Sequence, residues 1–464
     1  MTPTVGQVFG SGSPVRMPSV PLAGHAAPMS PRRSVLPVLA LVGAVAVLTP
    51  TVASALPGAS SGDSSGAGRP VPAPSTAEVA GFSVLPAETY VPGSEPSGHW
   101  TTGNAAVPAP YPGQPVQGFS GTHRNDDGSY LVLSDNGFGS KANSADALLA
   151  LHRIRPNTVT GLTAYEETLF TFSDPERLIP WTTWRDGGCA AATSLPAGYT
   201  CPAPDRRLTG WDFDPESLQV APDGTYWVGE EFGPYLLHFD ARGRLLEAPV
   251  ATPGVRSPSN PTLGSAVPNL ANSKGFEGLA ISPDGRTLYP MLEGATAEDK
   301  AARLGSDLRI YDAPIAKDGT ASFTGEFRRY RMEDPAHALG DFIAVNKHQF
   351  LVIERDNGQG PTAVFKRIYL VDTRGVDTGG YVTKTLLVDL MDVPNPSGAG
   401  GFDDPFTFPF FTIEDVELVD DRTIAVMNDN NFPAAGGRSA TEPDRNEFVL
   451  IRLGSALQVD HRLL

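Results

Sequence analysis

Short apolar runs separated by turn residues recur along most of this chain. Ser217–Val220 and Thr225–Gly229 carry the aliphatic, β-branched and aromatic residues typical of strands, and a Pro-Asp-Gly turn lies between them. The two runs predict an antiparallel hairpin, whose two outer ends lie together at one edge of a sheet. Carboxylates stand at both outer ends, so we expect Glu216 to lie beside Glu230 and Glu231.

The same layout returns further along the chain. Copies begin at Glu277, at Asp341 and at Glu414-Asp415, and a weaker copy has Ser120 in place of the acid. Within each acidic copy a second acid follows the first at a similar spacing, and the acidic copies themselves start at similar intervals. This internal repeat is the most specific pattern in the sequence.

A third and a fourth strand are predicted after the acidic hairpins. Tyr235–Phe239 is typical of the third strands, and Phe323–Arg331 and Val382–Val388 of the fourth. Four antiparallel strands in each repeat predict an all-β fold, a β-propeller in which each repeat is one blade. Gly81–Pro86 is expected to supply the fourth strand of the last blade, which would remove an exposed sheet edge. Five repeats are visible, and the long interval between Ser120 and Glu216 leaves room for a sixth blade.

The first part of the chain has the layout of an export signal rather than of a folded domain. Arg32-Arg33 precede a short apolar run, and Ala53-Ser54-Ala55 resembles a cleavage site. We therefore expect an export signal over residues 1–55, with Met29 as an alternative start and either the general secretory or the twin-arginine route. Residues 56–80 are rich in Ser, Gly and Pro and predict a disordered linker, which leaves 81–464 for the propeller.

Net charge and cysteine content bear on the partners and the location of the protein. The formal net charge of -17 disfavours nucleic acid as a partner, because phosphates would be repelled. The mature protein is expected to be a secreted, extracellular monomer that has no stable membrane span after the signal is cleaved. Cys189 and Cys201 are the only cysteines, and in an exported chain they are expected to form one disulfide.

Equivalent residues from the first strand of every propeller blade converge on one mouth of the central channel. The predicted ring consists of Glu216, Glu277, Asp341, Glu414 and Asp415. Further acids are expected just outside it: Asp135, Glu230, Glu231, Glu293, Glu354, Asp356 and Asp429. Oxygen ligands at this density suit Ca²⁺, with Mn²⁺ or Mg²⁺ as alternatives.

Three groups of motifs resemble the phytase-like family, described by "esterase-like activity of phytase", from about residue 80 to the end of the chain. They are Asp214-Pro-Glu-Ser-Leu with Glu230-Glu-Phe-Gly, Gly275-Phe-Glu-Gly-Leu with Leu292-Glu-Gly, and Ile413-Glu-Asp with Asn428-Asp-Asn-Asn. The resemblance implies a propeller that uses calcium in an acidic channel to attack phosphate esters with water. Carried over, it makes Glu216 and Glu277 catalytic candidates. It also suggests four basic residues that would hold a small anionic ester: Lys274, Arg309, Arg355 and Lys366.

Motifs of other hydrolases and of nucleotide enzymes do not fit. The Gly-x-Ser-x-Gly matches fall in the linker, and the sequence contains no His-Glu-x-x-His, no phosphate-binding Gly-Lys-Ser/Thr loop and no dinucleotide fingerprint. The sequence therefore predicts an exported metal-dependent ester hydrolase, with a metal-held water as nucleophile. Two alternatives stay open: a non-catalytic, calcium-stabilised propeller that binds a glycan or protein, and a lactonase-type propeller.

Overall fold

Strands and turns dominate the described part of the chain, which in this computed structural model covers residues 77–192, 194–196 and 199–464. The predicted export signal, and the predicted linker up to residue 76, lie outside these ranges. The strands follow the repeat that the sequence predicts.

Strand β1 spans Glu78–Leu85 and is followed by successive sets of strands. The first set is β2 (Phe119–Arg124), β3 (Tyr130–Ser134), β4 (Ala150–Asn157) and β5 (Leu162–Thr171). The second is β6 (Pro215–Val220), β7 (Tyr226–Glu230), β8 (Tyr235–Phe239) and β9 (Val250–Ala251). The third is β10 (Gly278–Ile281), β11 (Thr287–Met291), β12 (Asp307–Tyr311), β13 (Ala313–Pro314) and β14 (Phe327–Arg331). The fourth is β15 (Ala338–Ala344), β16 (Gln349–Arg355), β17 (Lys366–Asp372) and β18 (Thr383–Asp389). The last is β19 (Ile413–Leu418), β20 (Thr423–Asn428) and β21 (Asn446–Arg452).

Helices are short in the described ranges. One α-helix, α1, spans Ala297–Ala301, and 3₁₀ turns span Gly188–Ala191, Gly360–Thr362, Ala399–Gly401 and His461–Leu463. None of these helices has the length and apolar composition needed to cross a lipid bilayer.

Each set forms an antiparallel unit in which neighbouring strands pair in chain order, except that β13 pairs with β11 and β12 pairs directly with β14. The turn between β6 and β7 shows why the hairpins form where the sequence predicts them. Asp223 Oδ1 accepts hydrogen bonds from the backbone N–H of Thr225 (3.0 Å) and from its hydroxyl (2.7 Å). Gly224 supplies the positive φ of +80° that the turn requires. The adjoining strand Tyr226–Glu230 is buried along its whole length.

The last unit is completed by the beginning of the domain. β1 pairs antiparallel with β21, with Phe82 opposite Val449. This confirms the expectation that the segment after Gly81 supplies the missing fourth strand. Val84 of β1 also pairs in parallel with Leu162 of β5, so the first and last units share one eight-stranded sheet.

The units follow one another in a closed cycle. Their first strands (β2, β6, β10, β15 and β19) each contact the next, and β19 contacts β2. Apolar clusters fill the space between neighbouring units: Phe342 packs with Met291 between the third and fourth, and Phe119 with Met427 between the last and first. The hydrophobic core is therefore distributed between the sheets, and the first strands surround a common centre.

Among the described residues of the long interval before Glu216, no further set of four strands follows β5. These residues contribute β3, β4 and β5 to the first unit and then form a loop with the 3₁₀ turn Gly188–Ala191. The predicted disulfide between Cys189 and Cys201 closes this loop. The disulfide lies beside an aromatic group in which Trp184 contacts both Trp100 and Trp211.

Candidate functional site

A β-bulge places one residue of the first strand of several units at the common centre. The pairing register shifts between Pro215 and Ser217 in β6, and between Ile413 and Asp415 in β19. The extra residues are Glu216 and Glu414, both of which line a central cavity. A bulge bends the strand and turns its extra residue away from the alternating pattern. This geometry explains how an acid inside a buried strand comes to face the centre.

A second layer of residues follows the end of each second strand. In three units the backbone N–H of the second-layer residue donates to a backbone oxygen of a residue before the first strand. The pairs are Glu231 to Asp214 (3.0 Å), Glu293 to Gly275 (2.8 Å) and Asp135 to Gly118 (2.9 Å). Equivalent pairing brings all five units to the same cavity. The residues at this position are Asp135, Glu231, Glu293, Arg355 and Asp429. In chain order they follow, at a nearly constant spacing, Ser120, Glu216, Glu277, Gly340 and Glu414.

The fourth unit breaks the acidic pattern at both positions. Gly340 occupies the bulge of β15, where an added Cβ would lie 2.0 Å from the backbone oxygen of Ile413. The second-layer residue of the same unit is Arg355. This unit therefore supplies a cation where the others supply acids.

The cavity holds about 270 Å³ and is strongly acidic; we call it the acidic cavity. Its basic lining residues are Lys274 and Arg355, and its neutral lining includes Asn136, Asn357 and Phe411. Eight acids line it: Asp135, Asp214, Glu216, Glu231, Glu277, Glu293, Glu414 and Asp429.

Arg355 links three of these acids. Its Nη2 lies 3.4 Å from Oε1 of Glu277, 3.4 Å from Oε1 of Glu293 and 3.3 Å from Oε1 of Glu414. The guanidinium is buried, and its Nε has no hydrogen-bond partner among the described residues. Lys274 Nζ forms a second ion pair, with Glu293. These two cations neutralise only part of the carboxylate charge.

Two groups of three carboxylates have the spacing needed to hold a metal ion. The first is Asp214, Glu216 and Glu231, and the second is Glu231, Glu277 and Glu293. Within each group one oxygen per residue lies within 4.8 Å of the others. Glu231 belongs to both, and its Oε1 is held by the N–H of Gly275 at 2.9 Å. Anionic oxygens in such groups are suitable ligands for a hard divalent cation.

The electrostatics of the cavity favour protons or cations. Burial, and then the charge of neighbouring carboxylates, raises the pKa of Glu216, Glu231 and Glu277 well above its usual range. Burial and the charge of Asp214 raise the pKa of Asp135 to about 7. The ionised forms of these groups are therefore costly unless a cation lies among them.

Glu230 and Glu354 were expected near the ring but lie outside the acidic cavity. The carboxylate of Glu230 accepts backbone N–H bonds from Phe232 (2.8 Å), Gly233 (2.7 Å) and Tyr235 (2.8 Å). That of Glu354 accepts from the Tyr330 hydroxyl at 2.7 Å and from Lys384 Nζ at 2.9 Å, among other donors. Each lies in the second strand of its unit, one residue before the residue that lines the cavity, which is Glu231 or Arg355. The oxygens of Glu230 and Glu354 are occupied by protein donors.

Asp341, Asp415 and Asp356 also lie outside the acidic cavity. Asp341 and Asp415 come one residue after the bulges of their strands, and Asp341 accepts the N–H groups of Phe342 (2.6 Å) and Val416 (2.8 Å). Asp415 is buried, and neither of its carboxylate oxygens has a hydrogen-bond partner in the part of the chain that the structure describes. Asp356 is bound by Lys366 at 2.9 Å and by backbone N–H groups of its own loop.

The four predicted anion-binding residues divide into two pairs. Lys274 and Arg355 line the acidic cavity. Arg309 instead binds Asp299 at 2.7 Å, away from the cavity. Lys366 is buried and donates to the backbone oxygens of Asp356 (2.8 Å) and Gly358 (2.9 Å), so it holds a loop together.

Several residues of the site were not among the predicted ligands. Asp214 belongs to a three-carboxylate group and accepts a 2.8 Å hydrogen bond from Asn136 Nδ2. Asn136, Asn357 and Phe411 also line the acidic cavity. The Asp214-Pro-Glu motif and the Asp135-Asn136 pair were visible in the sequence. Only the strand register shows that both reach the same centre as Glu216.

Comparisons with known proteins identify the family of this chain. The family model "Phytase-like: Esterase-like activity of phytase" matches residues 114–432, which contain every acid of the cavity. An uncharacterized secreted protein of Arthroderma benhamiae is 28% identical over 185 residues, 33% of this chain and 36% of that protein. The match thus spans about a third of that relative.

Solved structures match this chain with low sequence identity and low TM-scores. A luciferin-regenerating enzyme is 12% identical, with a TM-score of 0.36 over 74% of this chain and 94% of its own. A 6-phosphogluconolactonase described as putative, from Bacteroides uniformis, is 12% identical, with a TM-score of 0.30 over 69% and 67%. The family match covers more than half of the sequence, and the chain therefore belongs to the phytase-like family.

Proposed function

We propose that this protein is an exported, metal-dependent hydrolase of phosphate or related esters, built as a five-bladed β-propeller. One observation carries the proposal. Among the described residues, eight carboxylates and only two cationic side chains line a single cavity at the centre of the cyclic array. The family description supports ester hydrolysis, and the secreted relative and the predicted export signal support an extracellular location.

The residues present fit a divalent cation. Asp214, Glu216 and Glu231 form one oxygen-rich group, and Glu277 and Glu293 complete a second with Glu231. Ca²⁺ is favoured because it accepts about six to eight oxygen ligands in flexible arrangements. A buried carboxylate group of this density suits it better than Mg²⁺, which retains several water ligands. Such an ion would supply positive charge that polarises an ester oxygen and activates water.

The chain's own residues would then bind the anionic substrate and move the proton. Arg355 and Lys274 are the cations of the cavity, and Arg355 Nε is a buried donor that no other described residue binds. We assign these two residues to the anionic group of the ester, which they orient and partly neutralise.

Glu277 or Glu216, whichever belongs to the carboxylate group that does not hold the ion, would act as the general base. Burial and neighbouring charge raise the pKa of both, so each carboxylate accepts a proton more readily than an ordinary glutamate does. The proton comes from the attacking water. The water oxygen bonds to the phosphorus, or to the acyl carbon, as the bond from that atom to the leaving oxygen breaks. The proton held by the glutamate passes to the leaving oxygen, so the products are the acid and the free alcohol.

A panel of esters tests this function. Nitrophenyl phosphate, bis-nitrophenyl phosphate, nitrophenyl acetate and a lactone are assayed with excess calcium and with chelator. We expect hydrolysis of at least one phosphate ester, lost with chelator and restored by calcium. Glu231→Gln should abolish the calcium-dependent rate, because the residue belongs to both carboxylate groups and Gln keeps an oxygen for the N–H of Gly275.

Glu326→Gln, at an exposed position outside the cavity, is the control. Calcium binding without hydrolysis of any ester would overturn the enzymatic assignment and favour a binding module. Hydrolysis of the lactone alone would reassign the substrate.

A further inference from the structure

A second pocket opens beside the acidic cavity. It holds about 340 Å³, and we call it the side pocket. Apart from Asp135, which also lines the acidic cavity, its lining is neutral and largely apolar. This lining includes Thr101, Asn104, Phe138, Phe432, Pro433 and Ala434. The loops after β3 and β20, together with residues 101–104, build this lining.

The two pockets are adjacent and share part of their lining. Asp135, Gly139 and Asn431 line both of them. Asn431 adopts a left-handed backbone with φ +47°, and its N–H donates to Asp429 Oδ1 at 2.7 Å. The wall shared by the pockets is therefore bonded to an acid of the central cavity. A substrate held by its anionic end in the acidic cavity would reach the side pocket across this wall.

Packing and hydrogen bonds hold the side pocket open. The ring of Tyr111 packs against Phe138 with a centroid separation of 5.4 Å, and against Phe432 at 5.0 Å. Asn104 Oδ1 accepts the N–H of Val107 at 2.7 Å, and its Nδ2 donates to the backbone oxygen of Pro433. Both ends of the Asn104 amide are thus used to fix the loop, and the pocket presents aromatic and aliphatic groups.

The charges around the two pockets limit the substrate. No lysine, arginine or histidine is among the described residues that line the side pocket, and its one charged group is the carboxylate of Asp135. A second phosphate placed there would be repelled. Arg355 and Lys274 are the only cations among the described lining residues of the acidic cavity, and both already pair with carboxylates. Apart from a bound metal ion, the side chains of the site therefore have no positive charge to spare for a second anionic group, and none for a polyphosphate.

We infer that the side pocket binds the organic part of the substrate, and that the substrate is an ester with a single anionic group and a flat, neutral, apolar alcohol. This inference rests on the proposed function, because it takes the acidic cavity as the place where the ester bond is cleaved. The aromatic lining favours an aromatic or ring-containing alcohol over a small aliphatic one.

Paired esters and paired non-hydrolysable analogues test the inference. With calcium present, kcat/KM is measured for 2-naphthyl phosphate, methyl phosphate and inositol hexakisphosphate. Binding of 2-naphthylphosphonate and methylphosphonate to the full chain is measured by calorimetry. We expect the naphthyl compound to be preferred at least about tenfold in both assays, and inositol hexakisphosphate to be the poorest substrate.

Ala434→Trp is designed to fill the side pocket from an exposed position. The preference for naphthyl over methyl should fall about tenfold, which corresponds to about 1.4 kcal/mol. Ala440→Trp, also exposed but outside the pocket, is the matched control and should keep the preference. If Ala434→Trp fails to fold, the comparison of the two phosphonates remains decisive, because their binding does not depend on how readily the alcohol leaves.

The outcomes separate this inference from the proposed function. Equal kcat/KM for naphthyl and methyl phosphate would overturn the side-pocket assignment and leave the hydrolase standing. Preferential binding of the naphthylphosphonate without any ester hydrolysis would support the pocket and overturn the hydrolase. Efficient hydrolysis of inositol hexakisphosphate would overturn the restriction to one anionic group.

Discussion

Nη2 of Arg355 lies 3.3 Å from Oε1 of Glu414, which belongs to the next unit of the cycle. The contact joins a buried cation on β16 to the bulged acid of β19. At the matching position of its own unit the chain has Gly340, so the guanidinium meets the acids of neighbouring units. Arg355 thus stabilises the acidic cavity and, in our proposal, binds the substrate anion there.

Arg355→Gln should destabilise the protein most strongly when metal is absent. The substitution leaves Glu277, Glu293 and Glu414 without their shared cation, and loss of one partner from a buried ion pair costs about 3–5 kcal/mol. The contacts are 3.3–3.4 Å long, so we expect the lower part of that range. Urea unfolding in the presence of chelator measures the change.

Arg374→Gln is the control, because its ion pair with Asp372 is exposed and such pairs contribute about 0–1 kcal/mol. Calcium should recover part of the stability lost in Arg355→Gln. Equal stability of Arg355→Gln and the wild type in chelator would show that the guanidinium does not neutralise the cluster.

The stability of the metal-free protein should fall as the pH rises from about 5 to about 8. Burial raises the pKa of Asp341 to about 7, although two backbone N–H groups bind its carboxylate. Burial, and then the charge of Asp341, raises the pKa of Glu417 to about 8. An acid with a raised pKa holds its proton in the folded state, and the resulting stability is lost as the pH rises through the folded pKa.

Thermal unfolding in chelator between pH 5 and 8 measures this dependence. Calcium should reduce the part of the slope that comes from acids of the acidic cavity such as Glu216, because a bound cation stabilises their ionised carboxylates. It should leave unchanged the part that comes from Asp341 and Glu417. Asp341→Asn should also reduce it, since one of the titrating groups is removed. A midpoint that rises with pH in chelator would contradict the assignment.

Glu230 and Glu231 are adjacent, and we expect substitution of the first to lower stability and substitution of the second to weaken calcium binding. Glu230→Gln turns an amide NH₂ toward backbone N–H donors, which should cost about 2 kcal/mol of stability. Its calcium affinity should stay near that of the wild type. Glu231→Gln keeps the bond from Gly275 and should retain most of the stability, but weaken calcium binding at least about tenfold.

Calorimetric titration with calcium and urea unfolding of the same preparations measure both properties. Loss of calcium affinity in Glu230→Gln, with Glu231→Gln unaffected, would exchange the roles of the two residues. The adjacent positions make the comparison a matched one.

Much of the fold could be predicted because its signals are local. A Pro-Asp-Gly turn, short apolar runs and a hairpin that recurs once per unit each act within one unit. Even the closing strand could be predicted, since without β1 one edge of β21 would have no partner strand. The insert around Cys189 carries no such periodic signal, and its interval left room for an additional blade.

The composition of the site was harder to predict, because it depends on register. A bulge of one residue decides whether Glu216 or Ser217, and Glu414 or Asp415, faces the centre. At the end of the second strand one residue separates Glu230, whose oxygens bind backbone N–H groups, from Glu231, which lines the cavity. Acid content alone does not distinguish such neighbours.

The closing strand β1 should control the stability of the whole cycle. Phe82 is buried beside Phe402, with a centroid separation of 5.0 Å, and β1 pairs with both the last and the first unit. Phe82→Ala should therefore cost about 3–5 kcal/mol. Because β1 connects two units, we expect one cooperative unfolding transition at a lower temperature rather than the separate loss of the last unit.

Leu162→Ala is the control: this residue pairs with Val84 across the same junction but is 59% exposed, so its removal should cost less than about 0.5 kcal/mol. Differential scanning calorimetry distinguishes the two variants, and an unchanged midpoint for Phe82→Ala, or two separate transitions, would show that β1 does not close the cycle energetically.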